Sequence, residues 1–433
     1  MRPSGGPPIA PGAHSKRARG RLWLKATLGA AGVLLAAAVA SAAVVVVLAD
    51  RAAIAAPVAT PIPLAVSVVP GKRAPVALPD QGEAEIMTSS GQVLAAQKPG
   101  VSVPIASVTK MMTAYVVLSD HPLAIGAQGP TITVSSSEAA TLPERIAEDQ
   151  SLIAVQAGEQ ISELTALEAL LIPSADNVAD ILAAFDAGSE SAFVAKMNAT
   201  ARSLGMDNTS YADASGFDPA SRSTASDLLI LARRAMAIPV FAEIVGMPSV
   251  TLPLAGTVSN YNSLVGKDGY TGIKTGSTGA AGGCLVWSVT RAVDGTPLTL
   301  YGVVLGQHQG PLVQSALDSA TALTTAVFAA FSPRTVLAAG TPVYRVSWAG
   351  QTELSATTHA LKSIYPPGSK AHVVVVPASE GGLTVDSGPV ATVKLTTPVA
   401  LAGAGSTGVA LTSKFRSPSM SWRVRQFLGL NHS

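Results

Sequence analysis

Three short segments of the sequence hold hydroxyl and amine side chains at spacings that suit nucleophilic chemistry. The first contains Ser107 and Lys110, three residues apart and followed by a largely apolar run. Positions i and i+3 share one face of a helix, so this hydroxyl and this amine can meet. A serine hydroxyl becomes a good nucleophile when a base within hydrogen-bond reach removes its proton. A buried lysine can be that base, because apolar surroundings disfavour its charged form.

The two other segments make this pattern specific. Ser174 is followed by Asp176 and Asn177, and further along stands Lys274-Thr275-Gly276, followed by Ser277. Alone, the first spacing is weak evidence, since a helix-capping serine beside a surface lysine gives the same pattern. Together and in this order, the three segments form the signature of penicillin-binding proteins and class A β-lactamases.

The chain resembles the low-molecular-weight penicillin-binding proteins, which are serine-type D-alanyl-D-alanine carboxypeptidases. The resemblance covers roughly residues 84–330 and extends beyond the three motifs, to residues 155–159, 193–198, 204–206, 223–228 and 280–285. It implies an α/β fold, an αβα sandwich in which helices flank an antiparallel sheet. It also implies that the enzyme removes the terminal D-alanine of peptidoglycan stem peptides and that β-lactams inhibit it covalently.

The resemblance implies a catalytic role for three residues. Ser107 attacks the carbonyl of the penultimate D-alanine and forms an acyl-enzyme, while Lys110 takes the serine proton. Ser174 relays a proton toward the leaving amine. Water then releases the shortened peptide.

Residues of the third motif are implied to bind the substrate. Lys274 and Thr275 would meet its terminal carboxylate, and Gly276 would let the strand approach it closely. The backbone N–H groups of Ser107 and Ser277 would form the oxyanion hole.

The second motif departs from the family pattern. Ser-x-Asn requires asparagine at position 176, where this chain has Asp176, with Asn177 one residue later. Either Asp176 takes the place of the amide, as a carboxylate within reach of Lys110 or Lys274, or a local shift lets Asn177 reach the cleft. Both residues are therefore candidates for substrate binding.

Two alternative functions follow from the same residues. A serine β-lactamase needs a glutamate that activates the deacylating water, and no Glu-x-x-Leu-Asn segment follows Ser174. A non-catalytic envelope protein that only binds peptidoglycan is the second alternative, because Asp176 departs from the motif.

Composition argues against several other classes of protein. The net charge is +2, and no basic stripe interleaved with aromatic residues occurs in the main body, so nucleic acid is not an expected partner. The six histidines show no metal-ligand spacing, so neither a metal nor another cofactor is expected. The single cysteine, Cys284, lies in an apolar run and is predicted to be a buried structural thiol.

The N-terminal part predicts attachment to the cell membrane. Residues 1–25 carry only basic charges, and residues 26–49 carry none, which is long enough for a membrane-spanning helix. Positive charge before the span predicts a cytoplasmic N-terminus and an extracytoplasmic catalytic domain. The alternative is a secreted protein whose signal peptide is cleaved after residues 40–42. The valine-rich continuation at residues 44–48 favours the uncleaved anchor.

The rest of the chain divides into four parts. Residues 50–82 are rich in proline and are predicted to be an extended spacer. Residues 83–332 are predicted to form the catalytic domain, and residues 333–412 a small all-β domain. The basic tail, residues 413–433, has aromatic residues among its charges and is either an amphipathic helix at the membrane surface or a solvated tail.

Local patterns predict the elements that must position the motifs. A hairpin is expected at residues 84–96, and Ser162 is expected to cap a leucine-rich helix that ends at Pro173. Further helices are predicted after Ser174 and over residues 191–204 and 224–237. Strands are expected at residues 270–274, 284–290 and 297–305, a closing helix at 312–331, and strand-like runs at 342–346, 371–377 and 389–395.

Overall fold

The structure is a computed structural model that describes residues 15–64, 76–293, 295–331, 334–363, 372–377, 391–396 and 406–430. Several predictions fall partly outside these ranges. They concern residues 1–14 of the basic N-terminus, 65–75 of the spacer, the boundary at 332–333, and parts of the β domain and of the tail.

The described residues contain helices of very different length, and a short 3-10 turn, Ala106–Thr109, precedes the second of them. The helices are α1 Ser15–Arg51, α2 Lys110–Asp120, α3 Ser136–Ala140, α4 Leu142–Ala147, α5 Glu163–Leu171, α6 Asp176–Ala187, α7 Glu190–Leu204, α8 Ala225–Ala235, α9 Pro239–Val245, α10 Leu312–Ala330 and α11 Met420–Phe427.

The strands fall into two principal sheets and several two-stranded pairs. They are β1 Val58–Pro61, β2 Glu83–Thr88, β3 Val93–Gln97, β4 Val103–Pro104, β5 Thr131–Thr133, β6 Gln160–Ser162, β7 Arg222–Ser223, β8 Ser249–Leu252, β9 Gly256–Ser259, β10 Tyr270–Thr278, β11 Gly282–Val293, β12 Thr296–Gln307, β13 Arg334–Leu337, β14 Pro342–Trp348, β15 Gln351–Thr357, β16 Leu361–Ser363, β17 His372–Pro377, β18 Ala391–Thr396 and β19 Ser406–Leu411.

The central sheet is antiparallel, with the strand order β10-β11-β12-β2-β3. Its side chains alternate between two apolar cores. Val286 and Val303 belong to the core formed with the helices between residues 110 and 245, and Trp287 and Val304 to the core formed with α10. The predicted sandwich of helices around an antiparallel sheet is therefore confirmed.

The predicted helix boundaries are largely correct, because capping residues mark them. The Ser162 hydroxyl accepts a hydrogen bond from the Thr165 N–H at 3.1 Å, as expected for the N-cap of α5. Gly205 ends α7 in the left-handed conformation that glycine adopts without steric cost. The hairpin β2–β3 also lies where it was predicted.

The second sheet combines the C-terminal strands with a strand from the predicted spacer. Its order is β1-β14-β15-β19-β18-β17, and Ala59 of β1 pairs with Val346 of β14. The prediction of a spacer throughout residues 50–82 is thus wrong for β1. The backbone groups of this extended run find partners on the open edge of β14, and only the last residue of β1 is a proline.

The helix α1 and the tail lie side by side. Among the described residues one helix is long and apolar enough to cross a membrane, Lys25–Arg51 within α1, and the rest of the molecule does not bury it. The tail forms α11, which begins at a Ser419 cap. Arg423 of α11 donates a hydrogen bond to the Asp50 carbonyl at 2.9 Å and pairs with the Asp50 carboxylate at 3.6 Å.

Candidate active site

The predicted nucleophile and base are in contact. Ser107 lies in the 3-10 turn, and Lys110 is the first residue of α2. The Lys110 Nζ donates a hydrogen bond to the Ser107 Oγ at 2.9 Å. The lysine is 0% exposed, whereas Ser107 is half-buried and faces a cleft. The predicted spacing therefore produces a buried amine beneath an accessible hydroxyl.

Three acceptors surround the Lys110 amine. Besides Ser107, they are the Ser215 carbonyl at 2.8 Å and the carboxylate of Asp176. An ammonium has three N–H donors, so this set satisfies the charged form completely. Asp176 also accepts from the Ser151 N–H at 3.1 Å, which holds the carboxylate in place. Of the two alternatives for the second motif, Asp176 is the residue that reaches the lysine.

Asn177 lies behind the cleft wall rather than in it. Its side-chain oxygen accepts from the Ile153 N–H at 3.3 Å, and its amide donates to the Ile153 carbonyl at 2.9 Å. Both hydrogen-bonding groups of this buried amide are therefore occupied by one backbone segment. The helix start at Asp176 turns the two side chains in different directions, so Asn177 contacts the Ile153 backbone instead of lining the cleft, and its role in substrate binding stays a prediction.

The second serine and the second lysine form another buried pair. The Lys274 Nζ donates to the Ser174 Oγ at 2.9 Å and to the Thr275 carbonyl at 3.1 Å. Burial lowers the pKa of Lys274 well below its ordinary value, and the nearby Lys110 lowers it further, while Asp176 opposes the shift. Lys274 is 1% exposed and contacts Ser174 behind the cleft wall, and its predicted contact with the substrate carboxylate stays a prediction.

Gly276 lets β10 pack directly against the turn that carries the nucleophile. A Cβ at this position would lie 2.9 Å from the Ile105 carbonyl and 3.0 Å from the Ser107 nitrogen. Real Cβ atoms essentially never approach other atoms more closely than this, so a side chain would push strand and turn apart. The close approach that was predicted toward the substrate is seen here toward the turn.

A cleft of about 520 Å³ brings most of the motif residues together. Ser107, Ser174, Thr275, Gly276 and Ser277 line it, while Lys110, Lys274 and Asp176 lie behind its wall. The remaining lining residues are Ile146, Asp149, Gln150, Ser151, Leu152, Tyr261 and Val313.

Sequence reasoning missed one loop that holds the site together. The carboxylate of Asp213 accepts hydrogen bonds from the Ser215 hydroxyl at 2.6 Å, the Ser221 hydroxyl at 2.5 Å and the Phe217 N–H at 2.8 Å. These bonds fix the carbonyl of Ser215 against Lys110. The only signal in the sequence is the turn-forming run of aspartate, serine and glycine at residues 213–216.

No group of histidine, cysteine and carboxylate side chains suited to a metal occurs in the part of the chain that the structure describes. Cys284 is buried, and burial raises the pKa of its thiol to about 12. Such a thiol is a poor nucleophile, because the reactive species is the thiolate. The candidate chemistry therefore rests on the serine and lysine pairs.

Comparison with known sequences gives a consistent set of similarities. A family profile described as D-alanyl-D-alanine carboxypeptidase, Peptidase S11, matches residues 82–309. The chain is 33% identical over 219 residues to a D-alanyl-D-alanine endopeptidase of Pseudomonas aeruginosa. This alignment covers 49% of this chain and 67% of the relative. It is 34% identical over 209 residues to the D-alanyl-D-alanine carboxypeptidase DacB2 of Mycobacterium tuberculosis, covering 47% and 67% of the two chains.

Solved structures give the same similarity at the level of the fold. The Streptomyces K15 DD-transpeptidase superposes with a TM-score of 0.51 and 27% identity, covering 59% of this chain and 100% of that one. A penicillin-binding protein homologue from Mycobacterium tuberculosis gives a TM-score of 0.51 and 29% identity, covering 60% and 96%. The family profile at residues 82–309 includes all the motif residues that line the cleft.

Proposed function

The chain belongs to the D-alanyl-D-alanine carboxypeptidase family, Peptidase S11, and we propose that it cleaves the terminal D-alanine from peptidoglycan stem peptides through an acyl-enzyme on Ser107. The family makes it a serine peptidase whose catalytic domain is extracytoplasmic. The observation that carries the assignment of the nucleophile is the 2.9 Å hydrogen bond between the Lys110 Nζ and the Ser107 Oγ.

Acylation needs two proton transfers, and the two buried pairs supply a group for each. Neutral Lys110 takes the proton of Ser107 as its oxygen bonds to the carbonyl carbon of the penultimate D-alanine. The bond to the nitrogen of the last D-alanine then breaks, and Ser174 delivers a proton to that nitrogen. Lys274, whose Nζ donates to the Ser174 Oγ at 2.9 Å and whose pKa is depressed by burial, replaces the proton that Ser174 gives up.

The backbone of the cleft supports the charge that develops on the carbonyl oxygen. The N–H groups of Ser107 and Ser277 are the proposed oxyanion hole, and such donors typically contribute about 3–4 kcal/mol each. The packing at Gly276 supports this proposal, since it holds the strand of Ser277 against the turn of Ser107. The Thr275 hydroxyl lines the cleft and can bind the substrate carboxylate.

The lining of the cleft also bears on the alternatives. Among the described residues, no glutamate lines it, so it lacks the group that a β-lactamase of the glutamate type needs to activate water. We therefore expect β-lactams to acylate Ser107 and to be released slowly. A purely binding role is disfavoured, because binding alone would not require a buried lysine on the serine hydroxyl.

The test is release of D-alanine from a diacyl-L-Lys-D-Ala-D-Ala peptide, together with peptide mapping of a fluorescent penicillin adduct. We expect D-alanine release and an adduct on Ser107 that persists over many turnovers. An adduct on another serine contradicts the assignment. Fast loss of the label without D-alanine release supports a β-lactamase instead.

We also propose that Lys25–Arg51 is an uncleaved, single-pass membrane anchor. Its length and its exposed apolar surface support this, as does the contact of its end with α11 through Asp50 and Arg423. The basic, partly aromatic face of α11 would then lie at the outer membrane surface. Protein sequencing tests the proposal: a mature N-terminus near Ala43 would identify a cleaved signal.

We propose the same order of parts as the sequence predicts, with one addition. The catalytic domain comprises residues 83–332, and the β domain comprises residues 333–412 together with β1. The pairing of β1 with β14 supports this addition.

A further inference from the structure

The cleft extends beyond the motif residues to a wall built by Ile146, residues 149–152 and Tyr261. Within the described part of the chain, Asp149 is the one charged residue that lines the cleft. The lysines of the site are buried, and their amines are occupied by Ser107, Asp176 and Ser174. The outer part of the cleft therefore carries a negative charge that the mechanism does not use.

The carboxylate of Asp149 is free, while its sequence neighbours are occupied. The Gln150 amide donates to the Glu148 carboxylate at 2.6 Å, and its oxygen accepts from Arg145 at 3.0 Å. Asp149 takes part only through its backbone N–H, which donates to the Ile146 carbonyl at 3.2 Å at the end of α4. Over the described ranges, no hydrogen bond or ion pair reaches its side chain. Its φ of +57° is an uncommon conformation for a residue other than glycine.

The loop that carries Asp149 is fixed to the catalytic centre. The Asp176 N–H donates to the Ser151 carbonyl at 2.7 Å, and the Ser151 N–H donates back to the Asp176 carboxylate at 3.1 Å. Two further hydrogen bonds join Asn177 to Ile153. The same helix start thus contacts Lys110 and holds the loop, so the position of Asp149 relative to the nucleophile is set before substrate binds.

Tyr261 adds an aromatic ring to the same cleft. Tyr261 is 51% exposed although its side chain is large and mostly apolar, and this residue lines the cleft. An ammonium group is attracted both by a carboxylate and by the face of an aromatic ring. A cleft lined by both, with no cation of its own at the surface, suits a positively charged side chain of the substrate.

We propose that Asp149 and Tyr261 form a subsite for a free ammonium group on the side chain of the residue that precedes D-Ala-D-Ala. The subsite would make the enzyme prefer stem peptides in which this amine is unmodified. The inference rests on the proposed function, since it concerns the peptide that acylates Ser107.

The test compares two peptides that differ only in this charge, Nα-acetyl-L-Lys-D-Ala-D-Ala and its Nα,Nε-diacetyl form. We expect kcat/KM for D-alanine release to be about threefold to tenfold higher for the free amine, the range of an exposed charge pair with an aromatic contact. The preference should shrink at high salt, because exposed charges are screened. In Asp149→Asn the ratio of kcat/KM for the two peptides should fall to less than about twofold.

Two control variants make the test specific. Glu148→Gln removes the same charge from the adjacent residue, whose side chain contacts Gln150, and should keep the preference. Tyr261→Leu should weaken the preference without abolishing it. Equal rates of the wild type on both peptides overturn the subsite but not the proposed function. A loss of preference in Glu148→Gln as large as that in Asp149→Asn has the same meaning. Absence of D-alanine release from both peptides overturns the proposed function and the subsite with it.

Discussion

At the scale of single residues, the site is dominated by two buried lysines whose surroundings differ. Lys110 has a carboxylate among its three acceptors, whereas Lys274 has only neutral oxygens, those of Ser174 and Thr275. A buried lysine that has no negatively charged acceptor beside it favours the neutral amine, because burial disfavours the charged form. The two lysines are therefore suited to different proton transfers.

Replacing the carboxylate tests this difference. In Asp176→Asn the opposite charge beside Lys110 is gone, while an oxygen remains to accept from Ser151. We expect acylation by penicillin at pH 7 to become faster by about tenfold, because a neighbouring carboxylate favours an ammonium over the amine that accepts the serine proton. Stopped-flow acylation at pH 7 measures this.

The matched control for that change is Asp180→Asn. Asp180 lies on the same helix, but its carboxylate pairs with Arg145 rather than with a lysine of the site. Its substitution should leave the acylation rate at the wild-type value. A rate that is also unchanged by Asp176→Asn would contradict the proposed effect of the carboxylate on Lys110.

The depressed pKa of Lys274 predicts how stability depends on pH. Between the folded-state pKa and the ordinary value near 10.4, the unfolded chain binds more protons at this residue than the folded chain. The free energy of unfolding contributed by Lys274 therefore rises with pH in this window. In Lys274→Gln we expect a shallower rise, measured by thermal unfolding in detergent from neutral to alkaline pH.

Lys196 provides the control of opposite sign. Hydrogen bonds to Asp120 and Asp186 raise its pKa, so its contribution to stability is lost as pH rises through the folded-state pKa. Lys196→Gln should therefore leave the alkaline rise in place or steepen it. The same shallower rise in both variants would contradict the assignment to Lys274.

The residues whose roles could be predicted from the sequence differ from the others in one respect, which is how far along the chain their contact partners lie. Ser107 and Lys110 were predictable because their contact spans three positions on one turn. Asp213 was not, because it acts through the carbonyl of Ser215, which meets a lysine 105 residues away. The contact of Asn177 was not predictable for the same reason, because its partner, Ile153, is 24 residues away and gives no local signal.

At the scale of elements, the site depends on how closely β10 approaches the turn at residues 106–109. Gly276→Ala should increase this separation and slow acylation by about tenfold or more, since small misplacements of reacting groups cost large factors in rate. The rate of fluorescent penicillin labelling measures the effect, and circular dichroism checks that the fold is kept.

Gly279→Ala is the matched substitution for this strand end. A Cβ at Gly279 would meet no atom within 4 Å, so labelling should stay at the wild-type rate. Equal rates in the two variants would show that the packing at Gly276 does not govern acylation.

The helices and the central sheet were predictable to a large extent, because periodicity and capping residues are local features of the chain. Ser162 and Gly205 mark helix ends directly. The partner of β1 was not predictable, because a short run such as residues 58–61 carries no mark of the strand that it joins. Its proline-rich surroundings indicate a linker equally well.

At the scale of the whole molecule, the anchor helix and the C-terminal sheet are joined through β1. Six residues separate the end of α1 at Arg51 from Val58. The pairing with β14 therefore holds the edge of the C-terminal sheet near the end of the anchor. Contacts of Arg423 with Asp50 join the tail to the same place.

Engineered cysteines test this arrangement. Ala59 and Val346 are register partners, so Ala59→Cys with Val346→Cys should form a disulfide on mild oxidation. The native Cys284 is buried with a pKa of about 12 and should not compete. A pair of Ala59→Cys with Thr352→Cys, on the next strand, should remain reduced. Mass spectrometry of peptides under non-reducing conditions distinguishes the outcomes, and efficient cross-linking of the control pair would contradict the register.

The pairing of β1 also sets an order of events during synthesis. β1 is made before the catalytic domain, but β14 follows about 280 residues later, which at about 5–20 residues per second is a delay of roughly 15–60 s. During that time the residues between them can fold around their own cores while β1 stays unpaired. β1 is thus among the first segments to leave the ribosome, but it cannot join its sheet until β14 has been made.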